Sequence, residues 1–276
     1  MSETYTIEDY QKAGEGIYDK IHLATYPVAI KYIKDFSEIP NEVERPISRN
    51  QKMCICQAFT QSRRFSEKLC ISAADNFCTP SSLGHGWVNL TEEEYIESQV
   101  RQGWHKDPET EAKFIRSQYR KDLKEIIELG YKGVMSAPLT ETPFIPDSVL
   151  VMGNAVQITY IIHALTFEKI EENEISSTFV GFGETCQKGG FRPFLTQRPE
   201  IVFPGTGDRS FCLIQDHEIG IGMTGKQAIY TDKYLFNTGK RLGLKMPLRQ
   251  LMPRLNEKIT PGFMYLRELF DKLQNK

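Results

Sequence analysis

The chain has 276 residues, of which 40% are hydrophobic and 25% charged, a balance that fits a folded globular protein and excludes an intrinsically disordered one. At roughly 150 residues per domain, this length admits one large domain or two closely packed ones. The 34 basic and 36 acidic residues leave a net charge of −2, which gives no global electrostatic reason to bind nucleic acid or an anionic membrane.

The start, Met1-Ser2-Glu3-Thr4-Tyr5, is polar and acidic rather than basic and then apolar, so no secretory signal is expected. The apolar stretch from Val149 to Leu165 is interrupted by Asn154, Gln157 and His163 and falls short of the roughly 20 residues a spanning helix needs. A cytoplasmic location follows as the expectation. In that compartment the six cysteines (Cys54, Cys56, Cys70, Cys78, Cys186 and Cys212) are expected to be free, metal-bound or catalytic rather than paired in structural disulfides.

In chain order, residues 6–24 carry Ile7, Tyr10, Ala13, Ile17 and Ile21 at helical spacing behind Thr6, with Asp9 three residues on, which predicts a capped opening helix. Pro27 to Lys34 alternates and is rich in β-branched and aromatic residues, a strand. The pattern returns to helical from Asn50 to Arg64 and to a short strand from Lys68 to Ala73. A stretch of turn and cap residues around Cys78 follows. Helices are expected over 91–102 and 108–129, the second opening at Asp107-Pro108-Glu109 and ending at Gly130. Val134 to Pro138 reads as a strand, and Thr140 to Pro146, with two prolines, is the best linker. The second half reads as a strand at 147–154, a helix over 154–168, strands at 176–181 and 201–203, and helices over 226–241 and 262–274. Together these predict an α/β or α+β fold, a mixed sheet with flanking helices, in two halves, 1–145 and 146–276, packed as one compact unit, with no clean fixed-period repeat to make the halves a duplication.

The cysteines are the leading chemical signal. A cysteine-held metal or iron-sulfur site needs three or four thiolates converging from turns and helix starts. Cys56, Cys78 and Cys186 occupy such positions, whereas Cys54, Cys70 and Cys212 are flanked by apolar groups and are expected to pack as small hydrophobes. None forms a CxxC pair, and Cys54 and Cys56 would diverge by roughly 200° on a helix.

Other constellations are weaker. Gly181-Phe182-Gly183-Glu184-Thr185-Cys186 suggests an anion-binding turn, but Cys186 stands where a dinucleotide fingerprint has its third glycine, and no Walker ending follows. Pro204 to Arg209 forms a comparable turn, in which Asp208 and Arg209 are expected to staple the backbone. His85, seven residues after Cys78, is the nearest partner for Cys-His catalysis, yet no thiol-protease signature surrounds any cysteine. A metal-free ligand pocket is expected, if anywhere, at the strand-to-turn junctions bearing Asn154, Gln157, Glu184 and Arg209.

One ordered set of motifs runs through the chain: Tyr26-Pro27-Val28-Ala29-Ile30-Lys31, Cys56-Gln57-Ala58 with Arg63-Arg64, Asp75-x-x-Cys78 with Leu83-Gly84, Ala137-Pro138-Leu139, Pro146 to Val151, Cys186, and Gly207-Asp208-Arg209. This set resembles the domain of unknown function 169 family of anaerobic bacteria and archaea over residues 20–225. The resemblance implies cysteines at Cys56, Cys78 and Cys186 and a further cysteine in a Gly-Cys-x-Gly turn. Here that turn is Pro204-Gly205-Thr206-Gly207, without a cysteine, and Cys212 lies several residues later.

The leading expectation is a cytosolic protein in which Cys56, Cys78 and Cys186 hold an iron-sulfur cluster or another metal for electron transfer or substrate binding. A three-cysteine site leaves one iron open to an exogenous ligand. The competing expectation is a metal-free small-molecule binding protein or enzyme. The partners implied are a small molecule or a redox partner, with homo-oligomers open, and neither nucleic acid nor membrane.

Overall fold

The computed structural model describes residues 4–88, 90–101, 103, 105–118, 123–168, 175, 183–237 and 261–274. Residues up to Thr238 form one compact unit, and Gly239–Lys276 form a second. In the second unit the described element is the final helix, Pro261–Gln274.

The first unit opens with α1 (Ile7–Lys20), capped by Thr6, whose hydroxyl accepts from the Asp9 amide while the Asp9 carboxylate accepts from Thr6. Next come β1 (Val28–Ile33), α2 (Ile55–Phe65), β2 (Leu69–Ser72), α3 (Thr79–Gly84), α4 (Glu92–Val100), α5 (Pro108–Gln118), α6 (Leu123–Leu129) and β3 (Gly133–Pro138). The second half of the sequence supplies β4 (Ser148–Gly153), α7 (Ala155–Leu165), a π-helix (Glu184–Phe191), α8 (Arg192–Thr196), β5 (Glu200–Val202), α9 (Thr206–Phe211), β6 (Ile219–Thr224) and α10 (Gly225–Tyr234). The final helix is α11. Among the described residues, no helix is long and apolar enough to cross a membrane.

Among the described residues, the strands form a six-stranded sheet in the order β2-β3-β1-β4-β6-β5, and its ladders are antiparallel. The predicted combination of a sheet with flanking helices is what forms, and antiparallel pairing places it on the α+β side. The order reads the same from either edge. Each half contributes its second, third and first strand toward the centre, where β1 meets β4 through Val28↔Leu150, Ala29↔Val149 and Ile30↔Ser148. The stretch from Thr140 to Pro146 joins β3 to β4 and is tied down by the buried Thr142, whose hydroxyl donates to the Phe144 carbonyl.

Both faces of the sheet are covered, so its strands read as nearly continuous apolar runs. On one face Val28, Ile30, Tyr32, Leu69, Ile71, Leu150, Met152 and Val202 pack with Ile55, Ala58 and Phe59 of α2 and Phe191 of the π-helix. Alternation sends Ala29, Ile33, Val149 and Val151 to the opposite face, where α7 and α10 lie over β4 and β6 and α1 packs on α10.

Two differences from the sequence reading bear on the site. The helix expected from Asn50 begins at Ile55, because Cys54 is an extended N-cap whose sulfur accepts from the Gln57 amide at 3.4 Å. Before it, the Met53 amide donates to the Asp75 carbonyl at 3.0 Å. The strand β6, Ile-Gly-Ile-Gly-Met-Thr, escaped a propensity reading because glycine is depleted in strands. Gly222 is there for clearance: a Cβ on it would stand 2.2 Å from the Lys188 carbonyl oxygen, so glycine lets the π-helix lie directly on the sheet. The strand expected at 176–181 lies outside the described residues.

Candidate functional site

A cavity of about 420 Å³ opens where helices from the two halves begin. Its wall contains Cys54, Cys56 and Cys78 from the first half and Cys186 and Cys212 from the second, with Asp208 as a sixth chemically active side chain. Phe77, Pro80 and Phe211 supply apolar surface, and Phe77 and Phe211 are 55% and 68% exposed.

The local sequence places each group. Cys54 and Cys78 are the N-caps of α2 and α3, Gly183 is the N-cap of the π-helix that carries Cys186, and Gly205 is the N-cap of α9. All four N-cap residues line the cavity. Free amides and the positive ends of helix dipoles at these N-caps therefore face the cavity, which offsets part of the cost of burying negative charge there. Cys212 is the C-cap of α9 and is anchored through its carbonyl, which accepts from the Thr60 hydroxyl at 2.6 Å. Cys78 is fixed by Asn76, whose side chain accepts from its amide at 3.0 Å and donates to its carbonyl at 2.9 Å.

The sulfurs interact with one another. Cys54 Sγ and Cys212 Sγ are 3.8 Å apart. Hydrogen bonds from the Cys212 and Cys56 thiols, helped by the Gln57 amide, hold the Cys54 thiol far below its ordinary range. Cys56 is raised by its bonds to Cys186, Cys212 and Cys54 and by burial. Cys212 is raised by its bond to Cys54 and by burial. Of the three coupled thiols, Cys54, Cys56 and Cys212, Cys54 is thus the most acidic. Burial also raises the Cys78 thiol and the Asp208 carboxyl; Asp208 accepts from the Gly205 amide at 3.1 Å, and the Cys56 thiol beside it works against the rise.

No lysine, arginine or histidine is among the described residues lining the cavity. Among the described lining residues, no cationic side chain compensates the sulfurs. Among the described residues, no three His, Cys, Asp or Glu side chains stand arranged to hold a metal ion.

A scaffold of buried charge surrounds the site. Asp75, whose side chain is fully buried, accepts from Arg45 at 2.8 and 3.1 Å, from the Ile47 amide at 3.1 Å and from the Ser72 hydroxyl at 2.6 Å. It ties together the approaches to Cys54 and to Cys78. On the other side, buried Arg63 of α2 pairs with Glu218 at 2.6 and 3.0 Å and locks the segment after Cys212.

The three cysteines singled out in the sequence, Cys56, Cys78 and Cys186, all line the cavity. Cys54 and Cys212, expected as packing residues, line it too, whereas Cys70 is buried on β2 away from it. Sequence reasoning noticed the Cys54-Ile55-Cys56 pair but placed both residues inside a helix, where they diverge. With Cys54 at the N-cap, they converge.

The other ligand candidates are not gathered here. Asn154 and Gln157 form the capping box of α7, with Gln157 also donating to the Ile21 and His22 carbonyls. Glu184 is buried against Lys188 at 2.8 Å. Arg209 donates to the Gln215 and Glu218 carbonyls, a backbone staple made without Asp208. His85 is buried against Tyr32 and Phe191, with Nδ1 2.7 Å from the Ser81 carbonyl.

Among known proteins, the chain is similar to the uncharacterized protein MJ0308 of the archaeon Methanocaldococcus jannaschii, 23% identical over 194 residues that cover 70% of this chain and 78% of that one. No solved structure matches. The profile of domain of unknown function 169, described as uncharacterised ArCR, matches residues 16–230, a span that includes the whole cysteine cavity, and the chain belongs to this family.

Proposed function

We propose that the cavity is a thiolate site for a soft metal centre, an iron-sulfur cluster or another thiolate-bound metal, held by Cys56, Cys78 and Cys186 for electron transfer or substrate binding. The observation that carries the reading is that these three cysteines, from three separate helix starts, line one cavity without a cationic side chain in its described wall. Soft sulfur donors select iron-sulfur clusters, zinc and copper(I) over hard cations. A bound centre would supply the positive charge that the described wall does not, and helix amides would donate to its sulfurs. The thiols would give up their hydrogen-bonded protons and turn toward the metal on binding. When bound, an iron-sulfur centre supplies one-electron chemistry or an open coordination position. Phe77, Pro80 and Phe211 would shield it and shape access from the mouth.

The test is metal and sulfide content after anaerobic isolation. Cys56→Ser, Cys78→Ser and Cys186→Ser are each expected to lose the bound metal, while Cys70→Ser keeps it. Equal metal content in all four variants would remove the assignment.

A second reading rests on the size of the cavity and its aromatic mouth. Its volume falls in the range that holds small organic ligands, and a metal-free protein that gains thermal stability with a small apolar molecule would favour it.

A further inference from the structure

The two sulfurs left over from that ligand set, Cys54 and Cys212, are the closest to a reaction of their own. They lie 3.8 Å apart on the cavity wall and are free thiols. We propose that Cys54 and Cys212 form a dithiol–disulfide couple that exchanges with small disulfides entering the cavity, with Cys54 as attacking thiolate and Cys212 as resolving thiol.

The geometry assigns the roles. Cys54 stands at the N-terminus of the 11-residue helix α2, where the Gln57 amide donates to its sulfur at 3.4 Å, and Cys212 Sγ lies 3.8 Å away at the end of α9. A sulfur at a helix N-terminus with an amide donor is the attacking one in exchange, and the sulfur beside it resolves the product. Bond formation closes the gap from 3.8 Å to about 2.05 Å. Both residues sit at helix ends, one an N-cap and one a C-cap, rather than inside a helix. Phe77 and Phe211, exposed at the mouth, offer the incoming disulfide an apolar approach.

The balance is complete. The Cys54 thiolate attacks one sulfur of R–S–S–R, giving a mixed disulfide on Cys54 and releasing one R–S⁻. Cys212 yields its proton to that thiolate, attacks the Cys54 sulfur and releases the second R–S⁻, which takes up the proton Cys54 had carried. Two protein thiols are oxidised and one small disulfide is reduced to two thiols.

The experiment reacts the reduced full-length protein with oxidised glutathione, both as isolated anaerobically and after chelation. Released glutathione is counted, and linked peptides are identified by mass spectrometry after alkylation. Wild type is expected to release two equivalents per chain and to link Cys54 to Cys212. Cys212→Ser stops at one equivalent, with glutathione on Cys54. Cys54→Ser, which keeps an N-cap oxygen for the Gln57 amide and so keeps α2 capped, reacts at least about tenfold more slowly. A bond between any other pair, or equal release from wild type and both variants, would overturn the proposal. Cys56, Cys78 and Cys186 form no bond in the couple, Cys70→Ser, away from the cavity, is expected to exchange normally, and glutathione release and metal content are separate readouts, so the metal reading and this one fail separately.

Discussion

Replacing Glu218 with alanine tests the scaffold that holds the cavity's far wall. Its carboxylate accepts from Arg63 at 2.6 and 3.0 Å, from Arg64 at 3.2 and 3.4 Å and from the Gln215 amide at 2.7 Å. The Arg63 side chain is 1% exposed. Without Glu218 its charge keeps the Thr25 hydroxyl at 3.0 Å and the Leu213 carbonyl at 3.4 Å, neither of which is an anion. Removing one partner of a buried pair costs about 3–5 kcal/mol, and for a domain of this size each kcal/mol moves the midpoint by about 2–4 °C, so a fall of about 6–20 °C in Tm is expected. Thermal unfolding followed by circular dichroism reads it. The segment after Cys212 also loses its lock, so alkylation of Cys212 should quicken in the folded protein. The double variant Arg63→Met with Glu218→Leu removes charge and partner together and is expected to lose far less. A fall below about 2 °C in Glu218→Ala would refute the reasoning, because it would mean that Arg63 is not a buried charge dependent on this partner.

Three further outcomes follow from the same physics. Asp75 is raised by burial but held below 3.8 on balance by Ser72, Arg45 and the amide donors, and Glu218 is likewise held below 4.5 by Arg63, Gln215 and Arg64. A depressed folded pKa contributes stability above the unfolded value and loses it as pH falls through the folded one. Urea unfolding should therefore weaken below about pH 4.5, and Asp75→Asn should flatten that slope; an unchanged slope would contradict it. Gly222→Ala sets a methyl 2.2 Å from the Lys188 carbonyl and should cost about 1–3 kcal/mol while displacing the π-helix under Cys186, read by denaturant midpoint and Cys186 alkylation. Cys54→Ala removes the N-cap acceptor of α2 and should cost about 1 kcal/mol, whereas Cys54→Ser should stay near wild type; equal losses would deny Cys54 its capping role.

The elements that follow local rules were legible in the sequence. Thr6 and Asp9 announced α1, alternation announced β1, and apolar runs announced β3 and β4. What periodicity does not encode is clearance between backbones, so Gly220 and Gly222 made β6 invisible until the π-helix lay against it. The palindromic strand order was foreshadowed only by the rhythm of strands and turns in each half. At the site, turn-rich surroundings drew attention to Cys56, Cys78 and Cys186, which line the cavity. Cys54 and Cys212 were hidden because apolar neighbours suit a cavity wall as well as a core, and because sulfur as a cap acceptor leaves no familiar Ser, Thr or Asp signature.

Metal-edge X-ray absorption on the anaerobically isolated full chain tests the central claim most directly. The account predicts a bound metal with a first shell of sulfur, at about 2.3 Å if the metal is zinc, lost in Cys186→Ser. A folded protein that takes up no metal on anaerobic reconstitution, or one whose metal has only nitrogen and oxygen neighbours, would contradict it.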